Sequence, residues 1–151
     1  VSKLIAVTGY KNSGKNAVCD VLRDTYGFEV TGMADALKER FPEIRRLLQK
    51  AGTEGGRDIF GQEIWPKTWY KSAKVLLEQG YDVCVSDLRF LNEAAFVREL
   101  GGEVWRVYRP GTDVGDKHKS ETELDSITPD RVIQNNGSLA DLHGLVVGAM
   151  L

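Results

Sequence analysis

An apolar run, Leu4-Ile5-Ala6-Val7, leads directly into Gly9-Tyr10-Lys11-Asn12-Ser13-Gly14-Lys15-Asn16. This order leaves few folds open. The strand must be buried, the glycine turn must double back sharply, and the next helix must begin with its N–H groups facing the turn. Such a turn offers successive backbone N–H groups to a polyphosphate, and the helix dipole adds its positive end. Lys15 supplies a mobile point charge for the β- and γ-phosphates. Asn12, Ser13, Gly14, Lys15, Asn16 and Ala17 are therefore the candidates for holding a nucleotide's phosphates. The residue after the lysine is ordinarily Ser or Thr, whose hydroxyl ligates Mg²⁺. Here it is Asn16, followed by Ala17. Asn16 is the candidate metal ligand, through its amide oxygen or a bound water, because Mg²⁺ takes oxygen ligands and keeps several waters.

Apolar spacing predicts strands over 3–8, 28–33, 82–86, 103–108 and 131–134, with helical stretches between them. That alternation predicts an α/β fold: a parallel sheet of about five strands with helices on both faces. The first helix should cover 15–26, with Val18, Val21 and Leu22 on one face and Gly27 at its end. Short helices are expected over 34–40 and 43–51. Pro66 suits the first turn of a helix reaching about 79, with Trp69, Ala73, Leu76 and Leu77 inward. A helix over 91–100 should close at Gly101-Gly102. Segment 109–119 is polar and turn-rich and is expected to be a mobile, lid-like loop. Ser120 and Glu123 have capping-box spacing, and Ser138 should cap a final helix.

The chain has 151 residues, enough for one domain with a real core. Its formal net charge of −2 implies no general surface for polyanions, so a small phosphate ligand fits better than nucleic acid. No apolar run approaches the roughly 20 residues of a membrane span. The start reads as a core strand, not as a secretory signal, which makes cytoplasm the expected compartment. Cys19 and Cys84 both lie in apolar segments and are expected to be buried thiols.

Two further groups carry chemistry. Asp87 and Arg89 follow strand 82–86, at the carboxyl end where parallel sheets collect ligands. Asp87 would hold a metal-bound water or bond a substrate, and Arg89 would clamp a phosphate; a turn residue and a surface cation are the plain alternatives. In 49–65, Arg57 beside Gly55-Gly56 is placed to approach a monophosphate. Trp65 would stack on a base or close a pocket, unless it is simply core. Lys11 would reach a second phosphate ligand, or stay solvated.

The stretches GYKNSGK (9–15), MADALKE (33–39), LLQKAGTEGGRDIFGQEIW (47–65), SDLRFLNEAAFVRELGGEVWRVYRPG (86–111), HKSETELD (118–125) and VIQNNGSLADL (132–142) together resemble the phage deoxynucleoside monophosphate kinases of the P-loop kinase superfamily. The resemblance implies a three-layer P-loop kinase sandwich over 1–151. It also implies Mg²⁺- and ATP-dependent phosphorylation of a deoxynucleoside monophosphate, in the host cytoplasm if phage-encoded, with a homodimer plausible and no nucleic-acid or membrane partner. By position, Gly14, Lys15 and Asn16 would hold the donor phosphates and Lys11 would approach the acceptor phosphate. Asp35, Ala36 and Lys38 would border the acceptor nucleotide. Arg57 would bind its phosphate, with Thr53 and Trp65 lining the site. Asp87, Arg89 and Glu93 would contact the deoxynucleoside side, and Asn135 would border the donor adenine. Lys15, Arg57, Asp87 and Arg89 are the expected catalytic group. Where the family shows Gly-Lys-Asp-Thr, this chain has Gly14-Lys15-Asn16-Ala17. That departure admits another reading, a nucleotide-binding module without turnover; a third keeps the kinase and changes the acceptor to another small metabolite such as dephospho-coenzyme A.

Overall fold

Strand β1 (Leu4–Thr8) is buried along its whole length. Only a central strand covered on both faces can be so uniformly apolar. The computed structural model describes residues 2–32, 64–112 and 124–151, with the backbone alone for Ile64 and Trp65. Around β1 the elements run α1 (Lys15–Tyr26), β2 (Glu29–Thr31), α2 (Ile64–Glu78), β3 (Val83–Val85), α3 (Leu91–Glu99), β4 (Glu103–Tyr108), β5 (Arg131–Gln134) and α4 (Leu139–Met150). The strands form one sheet in the order β2-β3-β1-β4-β5. Each neighbouring pair is parallel. All five expected strands are present, with β2 and β3 shorter than their apolar runs because pairing ends at Thr31 and Val85.

Side-chain alternation along the strands divides the core in two. Leu4, Ala6, Val83, Val85 and Val104 face α2 and α3, meeting Trp69, Ala73, Ala94 and Val97. Ile5, Val7, Cys84, Trp105 and Val107 face α1 and α4, meeting Val18, Leu22, Leu142 and Val146. The expected three layers follow directly. Because α1 leaves β1 toward one face and α3 leaves β3 toward the other, a crevice opens at the carboxyl ends of these adjacent strands.

The helix ends follow local chemistry. Gly27 closes α1, its N–H bonding Arg23 O at 3.0 Å while Phe28 N–H bonds Leu22 O at 3.1 Å. Pro66 lies in the first turn of α2, where a missing N–H does no harm. Ser138 caps α4: its hydroxyl accepts from Asp141 N–H, and Asp141 Oδ2 accepts from Ser138 N–H. Among the described residues, no helix is long and apolar enough to cross a membrane. The helices expected over 34–40 and 43–51, the Ser120 box and most of segment 109–119 lie outside the described residues. At its start, Thr112 N–H and hydroxyl both bond Arg109 O, a tight turn after β4.

Two leucines of opposite burial test the core. Leu22 is 0% exposed and Leu139 76%. Leu22→Ala should destabilise the protein by about 2–5 kcal/mol, whereas Leu139→Ala should stay within about 0.5 kcal/mol. Urea unfolding of the two variants checks this, and similar losses in both would contradict the packing described.

Candidate functional site

β1 ends at Thr8, and the chain turns through Gly9 to Gly14 before α1 begins at Lys15. Ser13 N–H bonds Tyr10 O at 3.1 Å and closes the turn. Two glycines are required by contact. A Cβ on Gly9 would lie 2.5 Å from the Val107 carbonyl oxygen and 2.7 Å from Ser13 Oγ. A Cβ on Gly14 would lie 2.5 Å from Asn135 Nδ2, and Gly14 also sits at φ 105°. Between them, Asn12 takes φ 65°, the one non-glycine at positive φ among the described residues. Asn is among the few side chains that tolerate this conformation.

The start of α1 differs from those of α3 and α4. Gly14 is its N-cap, no side chain bonds the cap, and no acidic residue stands in its first turn. The starts of α3 and α4, by contrast, carry Glu93 and the Ser138–Asp141 box. An α-helix begins with N–H groups that have no partner within the helix. In α1 they sit beside a glycine turn and a lysine, which together make an anion site. The Ser13 hydroxyl, buried within the loop, has no hydrogen-bond partner among the described residues. Lys11, Asn12 and Asn16 are exposed; Gly14, Lys15 and Ala17 are half-buried.

The chain leaving β3 is fastened to the end of β1. Leu88 N–H bonds Val7 O at 3.2 Å, and the Thr8 hydroxyl donates to Leu88 O at 2.6 Å. Asp87 and Arg89 flank this joint, both half-buried. Their backbone is therefore held beside the glycine loop, as the position after β3 implied. Glu93 is 4% exposed, and its Oε1 accepts from the N–H groups of Arg89 and Phe90, each at 3.0 Å. It thus caps α3 and holds the backbone of Arg89. Three-residue spacing from a helix start was the sequence signal for that role.

Asn135 sits beneath the loop. It is 6% exposed, its backbone N–H bonds Tyr108 O at 2.7 Å, and its Nδ2 donates to Ser13 O at 2.9 Å. The outer strand β5 thereby supports the loop at the sheet centre. On the other face, the Tyr10 ring lies under Arg106, with the guanidinium carbon 4.9 Å from the ring centroid. The Tyr10 hydroxyl donates to the Asp125 carboxylate. Arg106 Nη2 meets Asp125 Oδ1 at 2.9 Å. Sequence reasoning missed this trio; its one signal was Arg106 at an inward position of a largely buried strand.

Below the loop, Cys19 of α1 and Cys84 of β3 bring their Sγ atoms to 3.5 Å as free, buried thiols, as expected. The contact with Cys19, and then burial, push the Cys84 thiol well above its ordinary range. At the end of β2, Trp69 Nε1 donates to Thr31 Oγ1 at 2.9 Å, and Ser86 N–H bonds Thr31 O at 2.9 Å. These bonds fix the point from which segment 33–63 departs. Asp35, Ala36, Lys38, Thr53 and Arg57, and the Trp65 side chain, lie outside the described residues. Among the described residues, no three His, Cys, Asp or Glu side chains group as a metal site.

A family model, deoxynucleotide monophosphate kinase, matches residues 38–146. A protein of Acanthamoeba polyphaga mimivirus carrying the deoxynucleotide monophosphate kinase name is 30% identical, over 97% of this chain and 95% of its own length. The deoxynucleotide monophosphate kinase of Escherichia phage RB69 is 34% identical over 68% of this chain, which spans only 43% of that phage protein. Among solved structures, a sugar kinase from Janibacter sp. HTCC2649 superposes with a TM-score of 0.67 at 15% identity, covering 99% of this chain and 95% of that one. This likeness shows the kinase fold. The sheet order, the glycine loop on α1 and these relatives agree with the resemblance read from the sequence: the chain belongs to the deoxynucleotide monophosphate kinase family and is a nucleoside monophosphate kinase.

Proposed function

We propose that the protein transfers the γ-phosphoryl group of ATP to a deoxynucleoside monophosphate, giving the deoxynucleoside diphosphate and ADP. The observation that carries this reading is the uncapped start of α1 under a glycine loop, fastened beside the exit of β3. The loop amides and Lys15 take the β- and γ-phosphates of the donor. Lys11, exposed on the same loop, meets the acceptor phosphate from the other side. Arg57 holds that phosphate by its family position, with Thr53 and Trp65 lining the acceptor pocket and Asp35, Ala36 and Lys38 bordering the nucleotide. Asp87 and Arg89 face the deoxynucleoside, and Asn135 steadies the loop near the donor base.

Phosphoryl transfer spreads charge over the oxygens of the moving group, so positioning and charge stabilisation dominate its catalysis. Lys15, Arg57 and Arg89 supply positive charge around that group, and Asp87 orients the acceptor. Asn16, exposed in the first turn of α1, and Asp87 offer hard oxygen donors, a set that suits a water-rich Mg²⁺. When bound, Mg²⁺ neutralises charge on the donor phosphates. Asn16 would hold it directly or through water in place of the usual hydroxyl.

Lys15→Ala should lower kcat on the order of 10²–10³-fold with the fold retained. Near-normal turnover in that variant would sink the assignment. Arg57→Ala should raise the KM for the monophosphate at least ~10-fold while the KM for ATP stays within about two-fold. Equal effects on both nucleotides would argue against its acceptor role. Asn16→Ala should raise the Mg²⁺ concentration needed for half-maximal rate; an unchanged Mg²⁺ titration would remove Asn16 as the ligand. A coupled assay with ATP, Mg²⁺ and each of dGMP, dTMP, dCMP and dAMP tests the reaction itself. ATP binding without ADP formation for every acceptor would favour a module without turnover.

A further inference from the structure

We infer that Tyr10, Arg106 and Asp125 form a positioning network that sets where the phosphate loop sits, with Asp125 holding the other two. The inference rests on the reading that this loop binds ATP. Each of the three side chains touches the other two: Arg106 over the Tyr10 ring at 4.9 Å, Arg106 Nη2 on Asp125 Oδ1 at 2.9 Å, and the Tyr10 hydroxyl on the Asp125 carboxylate. Arg106 pairs with Thr8 in the register of β1 and β4, so its side chain leaves the sheet at the last residue before the loop. It shares the strand face of Val104 and so emerges on the side of α2 and α3, where Tyr10 is 5% exposed within the apolar cluster.

The backbone links this network to the donor site. The Tyr10 carbonyl accepts the Ser13 N–H that closes the turn. Moving the Tyr10 ring therefore moves the limb of the loop that presents Ser13 and Gly14. The Arg106 side chain is only 15% exposed, and Asp125 neutralises it on the spot. A cation this near a polyphosphate site would otherwise compete with Lys15 for the donor. Paired with Asp125, Arg106 serves as a fixed bracket over Tyr10 and leaves phosphate contact to the loop. A hydrogen bond from a hydroxyl to a charged carboxylate is stronger than a neutral one. Losing it should therefore register in binding.

The test is titration calorimetry of the whole protein with a non-hydrolysable ATP analogue and Mg²⁺, together with urea unfolding and the KM for the best monophosphate. Tyr10→Phe keeps the ring and removes only the hydroxyl. It should weaken ATP-analogue binding roughly tenfold, with the monophosphate KM within about two-fold. Asp125→Asn should reproduce the effect, and Asp125→Glu should restore part of it. Unchanged analogue binding in Tyr10→Phe overturns the inference, as does an equal weakening for both nucleotides. A loss of stability with no change in analogue binding likewise overturns it, since it would mean a purely structural role. A wild-type protein that binds the analogue but turns over no monophosphate would instead count against the kinase reaction, and the binding comparison would still decide this network.

Discussion

The joint between the ends of β1 and β3 is the constraint from which the site is built. Two hydrogen bonds, Leu88 N–H to Val7 O and the Thr8 hydroxyl to Leu88 O, join chain segments 80 residues apart. One segment opens into the glycine loop, the other into Asp87 and Arg89. Without the joint these would be two unrelated turns. With it, donor phosphates on the loop and charged groups after β3 share one crevice. The parallel sheet puts both exits on the same edge, and the opposite departures of α1 and α3 keep the crevice open.

The loop is held from both faces by unlike means. On the face of α1 and α4, Asn135 makes one buried bond to Ser13 O, and Gly14 must lack a side chain to let it in. On the other face, a charged pair roofs an aromatic ring. Neither support bonds the N–H groups at the start of α1, which have no capping side chain. The arrangement is rigid in its frame and open at its donors, as an anion site preorganised for a polyphosphate has to be.

Much of this was legible in the sequence. Uniform apolarity marked β1, and glycine, proline and serine marked the helix ends at Gly27, Pro66 and Ser138, because these depend on local spacing. Gly9 and Lys15 advertised the loop for the same reason. Asn135 was singled out, but its grip on Ser13 was not, since it depends on β5 lying beside β4. Residues 10, 106 and 125 have no shared spacing and meet only after the sheet forms. Glu93 illustrates a different limit: one carboxylate at the start of a helix reads equally as a ligand or as a cap, and its two backbone donors, which show the capping role, are visible only in the fold.

Asn135 has a consequence beyond geometry. It ties the edge of the sheet, β5, to the turn at its centre, and it stands three residues before Ser138, the cap of α4. Edge strands and terminal helices are ordinarily the first parts of a domain to open. Here an opening of β5 and α4 would remove the prop under Ser13. Linkage requires the converse: a ligand that binds only the propped loop must raise the free energy of that opening. Nucleotide occupancy at the centre would therefore be felt as slower amide exchange in β5 and α4, at the far edge of the sheet.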